Sequence, residues 1–538
     1  MNTNMKLIVY FFLGAVLVTA SSCKKFLEEK PESFVTAESF PKNDAEAIAA
    51  VTAVYSLLNY GGNAVQTPYN TLFNTGLSFM ADDEFPGPGA TQPDVRSMAN
   101  NLHTSTNLRV YELWQQHYAA IRKANLAIDA IPTISMDDKL KKRLVGEAKF
   151  LRALWYFNVV RLWGDVPLVL HPVNGVTSAD FKVGETPAAD VYLQIEKDLK
   201  EAAVDLPNNY TAPEVGRATK GAALALLSKV YLTKASLPLN LTQHYKDAVD
   251  YAEQAISPAD GGSGAFGYAL QQDYSRVFLP AFKNNSEHIF AAQFRSGTSS
   301  TYLTQGNNQN PRSIRTQVPG LAGSYADQIW FYTVDDPTKP GGKDKFFSVF
   351  KLYKPNDKRR DVTFVTSYKS PQNGRLYGGL NDPNINGSKL DSIPYFNKTW
   401  DPAATPTSES AANVSIIRYA ELLLIHAEAE NELNGPTAKA YKSYNLVRNR
   451  AGLANLTEGL SKDQFRDSLY LDRRLELVFE YQRWFDLVRQ KDASGQSIFV
   501  KSLHAAGKLN AREAHRLHPI PQSELDQNNL LTQNPGYN

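Results

Sequence analysis

Two stretches of the chain repeat one design, and that design restricts the fold more than any other feature. "ATKGAALALLSKVYLTKA", from Ala218 to Ala235, is followed after a short connection by "HYKDAVDYAEQAI", where Tyr245, Ala248, Ala252 and Ala255 recur at spacings of three and four. "RYAELLLIHAEAENEL" and "PTAKAYKSYNLVRNRAGL" repeat the arrangement after Arg418. That spacing puts the small residues on one helix face, so each pair reads as a helical hairpin that must bury its face against a neighbour. Such units resemble tetratricopeptide pairs, although the full consensus is absent, and stacking them gives a superhelical scaffold. The expected fold class is therefore mainly all-α: a helix-pair superhelix supporting a loop-rich half with a few short strands.

The stretch "EAKFLRALWYFNVVRLWGDVPL", Glu147 to Leu168, tests whether aromatic richness means a ligand surface or a core helix. Leu151, Leu154, Trp155, Val159, Leu162 and Trp163 form a broad apolar arc. Lys149, Arg152 and Tyr156 form a polar stripe, with the arginines expected to pair with Glu147 and Asp165. The periodicity favours a core helix, each buried ring contributing roughly 1.5–3 kcal/mol. Gly164 and Pro167 stop it. Further helices are expected over 44–59, with Asn43 and Glu46 at capping-box spacing, over about 107–131 before Pro132, and after Thr186-Pro187, with proline at the first helical position. The helix of Glu147 to Trp163 would itself be entered near Ser135.

Between 258 and 415 the texture changes. Glycine, proline and asparagine become frequent, helical periodicity fades, and pieces such as "EHIFAAQF" and "FFSVFKLY" suggest scattered strands. Long irregular excursions are common places for binding. This one carries Tyr302, Trp330, Phe331, Tyr332, Tyr353, Tyr377, Tyr395 and Trp400, whose rings can pack on sugar faces. Amides such as Asn307, Asn308 and Gln309 can hydrogen-bond hydroxyls. Tyr302, Trp330 and Tyr332 are the expected stacking residues, with Asn307 and Asn308 as polar partners.

Motifs for catalysis are scarce. "GRATKG" lacks the GxxxxGK[ST] pattern, no GxSxG or HExxH occurs, and His426 lies in an apolar run as a core histidine would. Asp82, Asp83 and Glu84 are too close in sequence to straddle a glycosidic bond and read as a cap or turn. "DPNINGSKLDSI" begins like a calcium loop at Asp382, Asn384 and Asn386, but Ile393 stands where glutamate should complete the site, so an Asn-Gly turn is the ordinary reading. No enzyme activity, cofactor or metal is expected.

The N-terminus speaks of location. Lys6 precedes an apolar run from Leu7 to Ala20, too short to span a bilayer and placed as a secretory signal would be. Cys23 is the only cysteine in 538 residues, so no internal disulfide is possible, and its position after small residues resembles the lipobox of bacterial lipoproteins. "KKFLEEKP" then looks like the charged tether of surface-exported lipoproteins of the Bacteroidetes. A net charge of +2, without a long basic block, argues against nucleic acid as a partner.

Several long motifs in order carry a family resemblance: "EAKFLRALWYFNVVRLWGDVPL", "GRATKGAALALLSKVYL", "DKRRDVTF", "IIRYAELLLIHAEAENE", "RRLELVFEYQRWFDLVRQ" and the ending "LHPIPQSELDQNNLLTQNPGYN". Together they resemble the RagB/SusD family of surface nutrient-binding lipoproteins. The resemblance implies a signal peptide over 1–22 and a lipidated tether over 23–43. It implies an N-terminal helical domain over 44–257 and a C-terminal domain over 258–538, variable over 258–415 and helical over 416–538. It further implies anchorage on the outer face of the outer membrane through Cys23, oligosaccharide as ligand, and a SusC-like TonB-dependent transporter as partner. A peptide-binding lid on the same kind of transporter is the alternative, with a surface glycoside hydrolase third.

Overall fold

The computed structural model describes residues 40–59, 67–84, 86, 92–173, 182–295, 332–335, 343–347, 349–365, 367–369, 376–378, 395–398, 401 and 410–537. Its main helices in the first half are α1 (Asp44–Asn59), α2 (Leu108–Ala130), α3 (Asp138–Trp163), α4 (Ala188–Asp205), α5 (Lys220–Ala235) and α6 (Tyr245–Ala255). The second half contributes α7 (Tyr419–Asn434), α8 (Ala438–Arg450), α9 (Lys462–Leu477) and α10 (Arg483–Arg489). Among the described residues, strands occur as two-stranded antiparallel sheets. One pairs β3 (His288–Ala292) with β10 (Val414–Arg418), and another pairs β4 (Tyr332–Asp335) with β5 (Lys343–Phe347). No described helix is long and apolar enough to cross a membrane.

The expected helix pairs form, and α7 packs on α6, so the two hairpins join into one stack. Ala248, Ala252 and Ala255 are buried at the α5–α6 crossing, and the Ser228 hydroxyl donates to Ala248 O at 2.8 Å. One continuous hydrophobic cluster runs from Val54 to Ile520, through both segments expected as domains.

Helix starts follow side-chain chemistry. Glu46 N donates to Asn43 Oδ1 at 3.0 Å, and the Glu46 carboxylate accepts from Lys42 N at 2.8 Å. Asn107 caps α2, and Asp137 caps α3, two residues beyond the expected entry at Ser135. α4 departs from expectation. Thr186 belongs to a short strand and Pro187 occupies the cap position without a side-chain acceptor, so the carboxylate of Asp165 accepts from Ala188 N at 2.7 Å instead.

α3 is a core helix, but most of its polar stripe is turned from water, with Lys149 left half-buried. Arg152 and Tyr156 are buried. Arg152 donates twice to Asp198 on α4, both at 2.8 Å, and Tyr156 Oη bridges Val169 N and O at 2.7 and 2.8 Å. The expected pairing with Glu147 and Asp165 is therefore corrected: Glu147 takes Arg217 at 2.9 Å and Arg143 at 3.5 Å. Spacing along α3 sets the stripe, whereas the helix packed across it chooses the partner. "FFSVFKLY" is likewise a strand only through Phe347, and Val349–Leu352 turn into a 3-10 helix.

Candidate functional site

Three segments outside the described residues, 60–66, 296–331 and 402–409, leave or re-enter the core at one corner. α1 ends there: Asn59 Nδ2 donates to Gln293 O. Just past β3, Phe294 N donates to Asn413 Oδ1 at 3.0 Å, and Ala411 N donates to Asp401 at 2.8 Å. Side-chain amides lock the junction. Asn284 and Gln293 exchange hydrogen bonds at 2.9 and 3.0 Å, and Asn413 Nδ2 donates to Gln293 Oε1 at 2.8 Å. The antiparallel β3–β10 pair forces this meeting, because it sets the departure of 296–331 beside the return at Asn413.

A cleft of about 190 Å³ opens beside the corner, and Asn284 and Gln293 line it. Tyr210, Phe266 and Tyr268 supply ring surface, and Asn208, Asn285 and Arg217 supply polar groups. Tyr210 Oη donates to Glu147 at 3.2 Å and Tyr268 Oη lies 3.0 Å from Thr219 Oγ1, which fixes both rings. Burial, then the nearby Glu147 carboxylate, pushes the Tyr210 hydroxyl far above its ordinary value, so it stays a neutral donor. Gly216 sits at φ +103°, where a Cβ would come within 2.8 Å of the Gln293 side chain, so the cleft wall requires glycine. Rings flanked by fixed amides and a guanidinium can hold a polyhydroxylated ligand: apolar faces pack on the rings while hydroxyls meet oriented donors and acceptors.

Of the expected stacking residues, Tyr332 lies in β4 with its backbone opposite Phe347. Tyr302, Trp330, Asn307 and Asn308 lie outside the described residues, as do Cys23 and the calcium candidates Asp382, Asn384 and Asn386. Tyr353 is buried, its hydroxyl donating to Leu475 O at 2.5 Å, so it serves packing. The cleft residues were not singled out by sequence reasoning. The available signal was the adjacency of amides and rings in "NNY" at 208–210, "FGY" at 266–268 and "NNS" at 284–286.

The acidic run at 82–84 is more than a turn. Asp82 meets Arg483 at 2.7 Å and Arg474 at 3.1 Å, and Asp83 meets Arg474 at 2.6 Å. Burial opposes ionisation of Asp82, but Arg474 and Arg483 outweigh it and hold the carboxyl below its ordinary value. Burial, reinforced by Asp83, pushes Glu84 up to about 8. All three are buried, and Asp82 and Asp83 pin the segment to α9 and α10 instead of flanking an open cleft. His426 is a core histidine, its Nδ1 2.8 Å from Ser443 Oγ. No cluster of metal-ligating side chains occurs among the described residues.

A profile of the SusD family matches residues 286–537, and one described as starch-binding, associating with outer membrane, matches residues 25–232. The chain belongs to the SusD/RagB family. It is 28% identical over 535 residues to SusD-like protein P2 of Formosa agariphila, covering 97% of this chain and 98% of that one. It is 24% identical over 509 residues to the starch-binding protein SusD of Bacteroides thetaiotaomicron, covering 87% and 86%. A solved laminarin-binding SusD-like protein superposes with a TM-score of 0.69 at 26% identity, over 92% of this chain and all of that one. The helical stack of this SusD/RagB member is thus a family scaffold.

Proposed function

We propose that this protein is a surface glycan-binding lipoprotein that captures an oligosaccharide and passes it to a SusC-like TonB-dependent transporter without cleaving it. The observation that carries the reading is the ring-and-amide cleft at the corner where 60–66, 296–331 and 402–409 converge. Tyr302, Trp330, Tyr332, Asn307 and Asn308 are the further contacts for a chain whose end rests in the cleft. Membership of the SusD/RagB family supports glycan as the ligand class, and the starch-binding and laminarin-binding relatives support an α- or β-glucan as the first to try. Acylation at Cys23 would anchor the body to the outer membrane's outer face, with 23–43 as tether and the domains divided near 257.

Calorimetry of the purified protein against starch and laminarin oligosaccharides, with peptide pools in parallel, tests this. Binding of an oligosaccharide, weakened at least about tenfold by Phe266→Ala or Trp330→Ala, is expected. Binding only to peptides, or release of reducing ends, would overturn it. Co-purification with a barrel transporter checks the hand-over, and loss of membrane retention in Cys23→Ser checks the anchor.

A further inference from the structure

A second cavity, of about 320 Å³, lies away from the corner, where the two halves of the helical stack meet. α3, α4 and α5 form one wall, α10 and the segment 513–517 the other. Its surface is dominated by Leu232, Leu237, Leu239, Phe485, Val488 and Leu517. Such walls suit neither the hydroxyls of a sugar nor a peptide backbone.

The cations around it differ in one respect. Lys229 pairs with Glu421 at 2.9 Å, Arg473 with Glu421 and Asp486, both at 2.9 Å, and Arg489 with Asp486 at 2.8 Å. Arg516 pairs with Glu513. Arg161 lines the cavity too, and no carboxylate among the described residues lies within ion-pair distance of it. Its guanidinium is clamped between the Phe157 and Phe485 rings, 3.7 Å from each centroid. Nε donates to Phe157 O at 2.8 Å, and Nη2 donates to Asn158 Oδ1 at 2.7 Å. Those neutral acceptors occupy only part of a donor fork that suits a carboxylate. Burial lowers its pKa to about 10, which leaves it charged at neutral pH.

We propose that this cavity is a second binding site, for a small carboxylate with an apolar body, whose chain lies against the leucines and whose head is received by Arg161. Glu421 and Asp486 act on this largely buried guanidinium only from beyond ion-pair distance, so it gains most from a ligand that supplies an anion in direct contact, and the walls reject ligands that are polar along their length. This goes beyond the glycan reading, and neither site's failure bears on the other.

Fluorescence displacement in detergent-free buffer, with 1-anilinonaphthalene-8-sulfonate as reporter and decanoate as competitor, tests it. Decanoate should bind one per chain, and decanol should bind at least about tenfold more weakly, because it has the chain without the charge. Arg161→Met keeps a flexible apolar side chain between the two rings and should weaken decanoate at least about tenfold, with Arg161→Lys in between. Thr233→Trp, at the half-buried rim, should fill the cavity and abolish binding while leaving oligosaccharide affinity unchanged. The proposal is overturned if decanoate fails to displace the reporter, if decanol competes equally, or if Thr233→Trp binds decanoate as the unsubstituted protein does. Urea melts of each variant show whether a loss reflects unfolding, and the Thr233 variant keeps the test valid if Arg161→Met does not fold.

Discussion

The two halves of the helical stack are built from different materials. α5 and α6 meet through alanines and leucines, and the chief polar tie there is one serine hydroxyl. Around α9, by contrast, Arg359, Arg418 and Arg450 converge on Glu476, and Glu287, Glu480, Asp357 and Asp472 complete a buried network. Lys398 joins it at 2.8 Å from Glu480. Burial opposes the Glu476 charge, yet Arg450, Arg418 and Arg359 hold its carboxyl far below the usual range. The apolar half is a spacing device tolerant of shape-conserving change. The charged half is specific, because each ion depends on all the others. Asp357, Arg359 and Lys398 belong to the loop-rich excursion, and ion pairs of defined geometry tie that excursion to the scaffold beside a small apolar cluster of Val349, Tyr353, Phe364, Leu475 and Val478.

The largest effect should come from breaking the charged half. Glu476→Ala removes the carboxylate shared by three buried arginines, leaving their charges under-compensated by Glu287, Glu480, Asp357 and Asp472, and should cost about 4 kcal/mol in urea unfolding. A loss under about 1 kcal/mol would mean that water or rearranged carboxylates compensate. Leu227→Ala, fully buried in α5, should cost about 3 kcal/mol by leaving a cavity. Equality of the two losses would erase the contrast drawn between the halves.

Acid separates a third region. His103, His515 and His518 cluster with ring centroids 5.4 and 5.5 Å apart near the C-terminal end. Burial lowers His515 to about 4 and His518 to about 3, and lowers His103 as well. The folded protein therefore holds these imidazoles neutral, while the unfolded chain takes up protons near 6.5. Their stabilising contribution is complete above about pH 6.5 and declines as pH falls from there toward 4 and 3. Glu476, whose folded value is depressed, contributes above about pH 4.5 and loses that contribution only at lower pH. Thermal melts should thus begin to weaken between pH 6.5 and 5, and His518→Asn should flatten that limb while leaving the lower one intact. At the small end, Lys246→Ala removes an exposed pair with Asp250 and should leave the melting midpoint unchanged.

Much of the scaffold was legible because periodicity is a local property. The spacing of Ala248, Ala252 and Ala255, the Asn43 cap and the Gly164 stop follow from residues within a turn or two of one another. Partner choice was not legible: on α3 it is Arg143, one turn away, that reaches Glu147, whereas Arg152 pairs with Asp198 on α4, a decision made by how the helices cross. The acidic run at 82–84 read as a turn for the same reason: Arg474 and Arg483, its counter-charges, lie some four hundred residues away in sequence.

The candidate site divides along the same line. Sequence alone established that rings and amides concentrate in the irregular middle of the chain and that the flanks are paired helices of the SusD/RagB kind. Only the tertiary structure decided that Asn59, Gln293 and Asn413 meet at one corner, that Tyr210 and Phe266 share a cleft there, and that Arg161 lines a cavity with no carboxylate among the described residues in direct contact. Helix and cap follow from interactions over a few residues of chain, whereas a cleft or a stranded charge is set by which distant surfaces the packing brings together.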